Sequence, residues 1–413
     1  MTSWLGNTTN FTGNWPDEHV GEVRWDGGGK GRLQLVMLTM LFGGSLFLVF
    51  FAYLGYPLTL LLIAQVRRRE VRKSPFFPSV TVIIAAYNED KRIREKLENT
   101  LSLKYPRENL QILVASDGST DATNGIVEAY AVKGVELLPV TRRGGKENAQ
   151  KEAVRVARGE ILVFSDVATR LDTDGLAQIV ANFADPTVGC VSSVDRVLGK
   201  DGRTGGEGAY VHYEMWLRSL ESQVHSLVGL SGSFFAARSQ VCRDFSVDMQ
   251  SDFRTLLNTL RIGLRGVSDS SAVGYYQDVA NGRREFDRKV RTVLRGLTVF
   301  FRHLEFLNPI RYGFFSYQYF CHKLLRWLVP LFLLFAFATN LALVPGSTGY
   351  SALLAGQVGF YTAAIWVWHR PSPPAYAVLK IPAYFVAVNA AIVAAWWRYF
   401  RGDRLVMWTP SQR

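Results

Sequence analysis

The chain has 413 residues, 48% of them hydrophobic, and a formal net charge of +12; that is room for two or three domains, and too apolar for an ordinary soluble enzyme. Its Lys and Arg residues cluster beside apolar runs, as expected next to membrane lipids with anionic headgroups, which argues against nucleic acid as the partner. Three cysteines, Cys190, Cys242 and Cys321, have no CxxC spacing and indicate neither a disulfide framework nor a zinc site.

In chain order, a tail over 1–32 precedes an uncharged run, Leu33 to Val66, longer than the roughly 20 apolar residues a bilayer requires. The run exceeds a signal-peptide core and lacks a small-residue cleavage site, which predicts a retained transmembrane helix over 33–66. Arg67, Arg68, Arg69, Arg72 and Lys73 follow, so the next region is expected on the cytoplasmic side of the cell (inner) membrane. From Ser79, short β-rich runs alternate with amphipathic stretches: SVTVIIAAY, KRIREKLENTLSL, LQILVAS, DATNGIVEAYAV, VELLPV, KENAQKEAVRVAR and EILVFSD. Strands apolar throughout and separated by helices imply the α/β class, a doubly wound, mostly parallel sheet covered on both faces, within 67–285.

Beyond it, Phe286, Val290, Leu294, Leu297, Phe301 and Leu304 recur at three- or four-residue steps, with Arg288, Lys289, Arg291, Arg295 and Arg302 elsewhere. This predicts basic amphipathic helices over 286–326 lying in the membrane interface. The uncharged runs Trp327 to Trp368 and Ile381 to Trp397 place C-terminal membrane helices within 327–397, followed by a basic tail over 398–413. Lys380 and Pro382 favour a broken, interfacial or re-entrant last segment, which keeps the basic tail inside.

Ligands of doubly wound sheets bind beyond the carboxyl ends of the strands. Three apolar strands here run into acids, in AAYNED (85–90), ASDGSTDAT (115–123) and FSDVAT (164–169). A turn and a helix cap would explain DGSTDAT alone; acids at three strand ends converge on one rim. Such a rim suits a divalent cation, Mg2+ or Mn2+, that bridges a diphosphate. RRGGKENA (142–149) joins glycines to a lysine at a helix start, which fits either phosphate or ribose contact or a plain glycine-rich turn. It is neither GxGxxG nor GxxxxGK[ST], so a dinucleotide fold and a P-loop are disfavoured.

Together AAYNE, ASDGSTDAT, GGKENA and FSDVAT resemble the catalytic domain of the family 2 glycosyltransferases, in particular the membrane-bound exopolysaccharide type related to hyaluronan, chitin and cellulose synthases. LSGSFFAAR (230–238), SDF (251–253) and REFDRKVRT (284–292) extend the resemblance from Ser79 to Phe301. It implies that Ala86, Tyr87, Asn88, Glu89, Asp117, Gly145, Lys146 and Ser165 form the nucleotide site, that Asp166 holds the metal, and that Asp252 is the base, with Asp248 the alternative. Ala168 stands where the family's D-x-D has its second acid, leaving Asp166 to share the ion with diphosphate oxygens and water. Arg288-x-x-Arg291-Thr292 replaces Q-x-x-R-W; both arginines share a helical face and would grip the departing diphosphate, while the missing tryptophan weakens the case for processive synthesis.

The implied reaction is an inverting transfer from a nucleoside-diphosphate sugar, a UDP-sugar above all, to a lipid-linked or growing polysaccharide acceptor, with an export partner where a polymer leaves by another protein. A transporter is disfavoured, because the apolar runs hold few ionisable groups and no paired repeats. A membrane-tethered nucleotide-binding protein with degenerate or no transferase activity is the rival raised by Ala168 and Thr292.

Overall fold

The computed structural model describes residues 29–198, 209–245, 247, 249–277, 282–370 and 377–403; Asp248 and the side chain of Lys380 lie outside the described residues. The chain starts as one long apolar helix, α1 (Gly29–Phe50), continued through a π-turn (Phe51–Gly55) into α2 (Tyr56–Val66). The α/β domain follows with β1 (Val80–Ala86), α3 (Ile93–Leu101), β2 (Leu110–Asp117), α4 (Thr123–Glu128), β3 (Val135–Val140), α5 (Lys146–Val156), β4 (Ile161–Asp166), β5 (Arg170–Leu171) and α6 (Gly175–Ala181). It continues with β6 (Val188–Leu198), α7 (Ala209–Val224), β7 (Phe234–Arg238), α8 (Ser251–Arg261), β8 (Arg265–Gln277) and α9 (Gly282–Arg302). Short helices α10 (Pro309–Tyr312) and α11 (Phe314–Tyr319) and a second π-turn (Phe320–Leu325) lead into α12 (Arg326–Leu343), α13 (Thr348–Trp368) and α14 (Ala377–Phe400).

The eight strands form one sheet in the order β3-β2-β1-β4-β7-β6-β8-β5. β1 is buried at every position: Val80, Val82 and Ile84 face α3, α4 and α6, while Ile83 and Ala85 face α5, α8 and α9. The two-residue alternation of a strand, with helices over both faces, is why β1 reads as apolar throughout. Strands β1 to β4 pair in parallel, as does β6 with β8, giving the mostly parallel α/β sheet that the alternation implied. β7 runs antiparallel to β4 and β6. That reversal brings the loop before β7, residues 229–233, to the rim where β1, β2 and β4 end.

Among the described residues, four helical stretches are long and apolar enough to cross a membrane: Gly31–Val66, Phe314–Gly346, Thr348–Trp368 and Ile381–Phe400. Three expectations need correcting. The run 33–66 is not all available to lipid, because Tyr56 and Leu60 pack on Leu217, Leu220 and Val224 of α7. The Tyr56 hydroxyl also donates to Glu221 at 2.6 Å. The apolar side of α9 meets protein rather than lipid: Val290, Leu294, Leu297 and Phe300 are buried with Ala391, Ile392 and Ala395 of α14. Finally, α14 is unbroken at Pro382, which sits in its second turn, where a proline removes one hydrogen bond close to the helix end.

Candidate active site

Asp117 ends β2, and its carboxylate accepts from the backbone N–H of Gly144 at 2.9 Å and of Gly145 at 2.7 Å. At 1% exposure this acid locks the RRGGKENA loop to the sheet. Gly145, at φ +92°, turns the chain in a conformation that side chains rarely adopt, and so sets Lys146 as the first residue of α5. Lys146 Nζ pairs with the Asp166 carboxylate at the end of β4 and donates to the Gly232 carbonyl at 2.9 Å. A Cβ on Gly232 would lie 2.7 Å from Asp252 Oδ2, so the two are in contact. Asp252, buried in the first turn of α8, accepts from Phe253 N at 2.7 Å and Gln250 Nε2 at 3.1 Å. One path of contacts therefore links Asp117, Gly145, Lys146, Asp166 and Asp252 along a single rim.

The loop after β1 is stitched to the loop after β2. Asn88, at φ +49°, donates its N–H to Ser119 Oγ at 3.1 Å, and its Oδ1 accepts from Thr120 N at 2.9 Å. A non-glycine residue at positive φ is costly unless its neighbours hold it. The Arg143 guanidinium stacks 3.8 Å from the centroid of the Tyr87 ring. Glu89 turns inward to pair with Arg92 at 2.6 Å; burial raises its carboxyl despite Arg92, and Asp166 and Asp121 push the same way. Ala86 is enclosed at the end of β1, and the Ser165 hydroxyl is buried against Lys96.

The two α9 arginines differ. Arg288 is engaged by Glu285 through bonds of 2.7 and 2.8 Å. Arg291 has no hydrogen bond or ion pair among the described residues. One turn further on, Arg295 pairs with Glu147, which is buried in the first turn of α5 beside Lys146. Arg291 thus lies about 6 Å along the helix from a residue tied to the rim, and Arg288 lies beyond it.

Four charged residues of this region were not picked out as site residues. Lys96 is buried beneath the rim, donating to Ser165 Oγ at 2.6 Å and to Thr169 O at 2.7 Å, and so staples the turn that carries Asp166. Burial lowers its amine to about 7, with Asp166 opposing. Its step with Ile93, Leu97 and Thr100, all buried, is the signal that marks it as an inward lysine. Asp195 of β6 accepts from Ser231 Oγ at 2.7 Å and Ser233 Oγ at 2.5 Å, and burial raises its carboxyl. Glu147 and Arg295 complete the set.

Among the described residues no three His, Cys, Asp or Glu side chains group as a metal site. Asp166, 31% exposed, offers one carboxylate. That fits Mg2+ or Mn2+ only with diphosphate oxygens and water completing the shell, as these ions accept.

Residues 81–244 match the sequence model described as Glycosyl transferase family 2. The beta-monoglucosyldiacylglycerol synthase of Nostoc sp. is 25% identical over 213 residues, covering 50% of this chain and 45% of that protein. The poly-beta-1,6-N-acetyl-D-glucosamine synthase of Staphylococcus aureus is 30% identical over 130 residues, or 30% of this chain and 31% of that one. The chain therefore spans less than half the length of these relatives. The mannosyltransferase PcManGT of Pyrobaculum calidifontis, solved in complex with GDP-Man and Mn2+, matches with a TM-score of 0.68 over 90% of this chain and 99% of that one, at 24% identity. The likeness is one of fold.

Proposed function

We propose that this chain is a metal-dependent inverting glycosyltransferase that moves a sugar from a nucleoside-diphosphate sugar, UDP-sugars first among the candidates, to a lipid-linked or growing polysaccharide acceptor at the cytoplasmic membrane face. The observation that carries this is the contact path from Asp117 through Lys146 and Asp166 to Asp252. It lines up a loop anchored for the nucleotide, a cation for phosphate, a carboxylate for one ion and a buried acid at the far end. Asp252 would take the proton of the acceptor hydroxyl as that oxygen attacks the anomeric carbon, a contribution of roughly 10²- to 10⁴-fold. Lys146, released from Asp166, and Arg291 would meet the charge growing on the departing diphosphate. A divalent ion at Asp166 would supply further neutralisation of that charge. The GDP-Man and Mn2+ complex of the similar mannosyltransferase supports the donor class and the metal, and the names of the two synthases support the acceptor classes.

Membranes bearing the full chain, incubated with radiolabelled UDP- and GDP-sugars, test the reading. One donor should label a lipid extract or a high-mass polymer, chelation should abolish the signal, and Asp252→Asn should lower it roughly 10²-fold or more while nucleotide binding persists. Folded protein that binds nucleotide yet transfers no sugar would point instead to a tethered nucleotide-binding protein.

A further inference from the structure

Two partly buried cations stand without an acid bonded to them where the rim meets the apolar helices. Arg218 of α7 and Lys323 of the π-turn before α12 form no hydrogen bond or ion pair through their side chains among the described residues, and Arg218 Nη1 is fully enclosed. Lys323 Nζ lies 3.3 Å from where a Cβ on Gly229 would stand and 4.8 Å from the centroid of the Phe253 ring. It therefore touches both the loop that carries Gly232 and the residue after Asp252.

The acids that face this pair are already engaged. Glu214 pairs with Arg326. Glu221 accepts from the Tyr56 hydroxyl at 2.6 Å and Val228 N at 3.1 Å, and meets His322 Nδ1 at 2.6 Å. Burial also pushes Glu221 up to about 8, so at neutral pH it adds little negative charge. Asp195 is held by Ser231 and Ser233. Glu214 acts on both cations through its charge, and Asp195 on Arg218, but no acid bonds either of them, which leaves their N–H donors open to an anion.

We propose that Arg218 and Lys323 bind the phosphate of a membrane lipid acceptor and hold it beside Asp252. The inference rests on the transferase reading for the role of Asp252 alone. The donor diphosphate would have its own cation in Lys146, which bonds to Gly232 of the 229–233 loop rather than to Gly229. Lys323, in contrast, belongs to the stretch Phe314–Gly346, which is long and apolar enough to cross a membrane. Seven residues beyond Lys323, at Pro330, an apolar cavity of about 370 Å³ opens between α12, α13 and α14, lined by Leu333, Phe337, Tyr361, Phe385 and Val393. A lipid with its phosphate on the two cations would lay its hydrocarbon there, and Arg and Lys donors make their strongest bonds to such an anion.

Decyl phosphate, decanol and inorganic phosphate, each titrated into the full chain in uncharged detergent micelles and read by tryptophan fluorescence, test this. Decyl phosphate should bind roughly tenfold or more tightly than either of the others. Lys323→Met and Arg218→Gln should abolish that preference, Lys323→Arg should keep it, and Lys323→Met should melt no lower than the parent, since it removes a partly buried charge that no acid bonds. Equal binding of decanol, inorganic phosphate as good a ligand as decyl phosphate, a preference surviving Lys323→Met, or displacement by UDP would each overturn the proposal. UDP and GDP binding measured on the same samples separates the two readings: failure to bind either condemns the transferase assignment, whereas the lipid preference is decided independently.

Discussion

At the scale of single residues, Asp117 has the most constrained chemistry, since its two oxygens face two backbone donors in a dry setting. Asp117→Asn keeps the shape but turns an NH2 group toward one of those donors, leaving Gly144 or Gly145 unbonded. The expected cost is about 1–3 kcal/mol, read by thermal unfolding, together with weaker nucleotide binding because Gly145 positions Lys146. Unchanged melting and unchanged affinity would contradict the anchoring role. Asp117 and Asp166 were legible in the sequence because an acid closing an apolar strand conflicts with burial unless something holds it. Lys96 and Glu147 were not, since a charged side chain in a helical stretch reads as a solvated face until the packing above it is known. Asp252 was placed by resemblance, and only the contact with Gly232 joins it to the rim.

Among elements, the attachment of α9 to α5 rests on the Arg295–Glu147 pair. Arg295→Met would strand the buried Glu147 carboxylate and cost roughly 3 kcal/mol, while adding Glu147→Gln should restore most of the loss; denaturant unfolding of the four proteins gives the coupling. The joint between α2 and the domain carries a pH dependence. Burial, reinforced by Arg69, Arg265 and Arg67, lowers His225 to about 4. Between pH 6.5 and 4 the unfolded chain gains a proton there that the folded chain refuses, so stability falls as pH drops through this window, by about 3 kcal/mol at most. His225→Gln should therefore lose less melting temperature than the parent between pH 7 and 4.5; parallel curves would remove His225 from the account. Strands β1 to β4 were predictable from their apolar runs, whereas β5 to β8 went unassigned, because their pairings join distant segments and β6 and β8 carry polar residues as they approach the rim.

For the whole molecule, the open question is how many helices cross the membrane, and α14 decides it. Lys289 lies 5.2 Å from the Tyr384 ring, and the Phe301 ring lies 5.7 Å from Trp396 and 5.5 Å from Tyr399. Twelve residues separate Lys289 from Phe301, and twelve separate Tyr384 from Trp396, so α9 and α14 run side by side in the same direction. Because Val290, Leu294 and Leu297 seat α9 on the catalytic-type domain, a helix alongside it lies at the domain's surface rather than across a bilayer. Trp368 at the end of α13 meets Phe286 near the start of α9 at 5.8 Å, which returns the chain to that same level. This geometry predicts three crossings, by α1–α2, α12 and α13, with α14 lying along the interface and its exposed Ile381, Val393, Trp397 and Phe400 available to lipid. Composition alone allowed α14 to cross, since a run of apolar residues carries no direction, although Arg398 and Arg401 at its end already favoured the cytoplasmic side. In sealed vesicles with the catalytic domain outward, protease should remove a C-terminal tag as readily as it cuts the domain and should spare an N-terminal tag. If α14 crosses instead, both tags will be protected together.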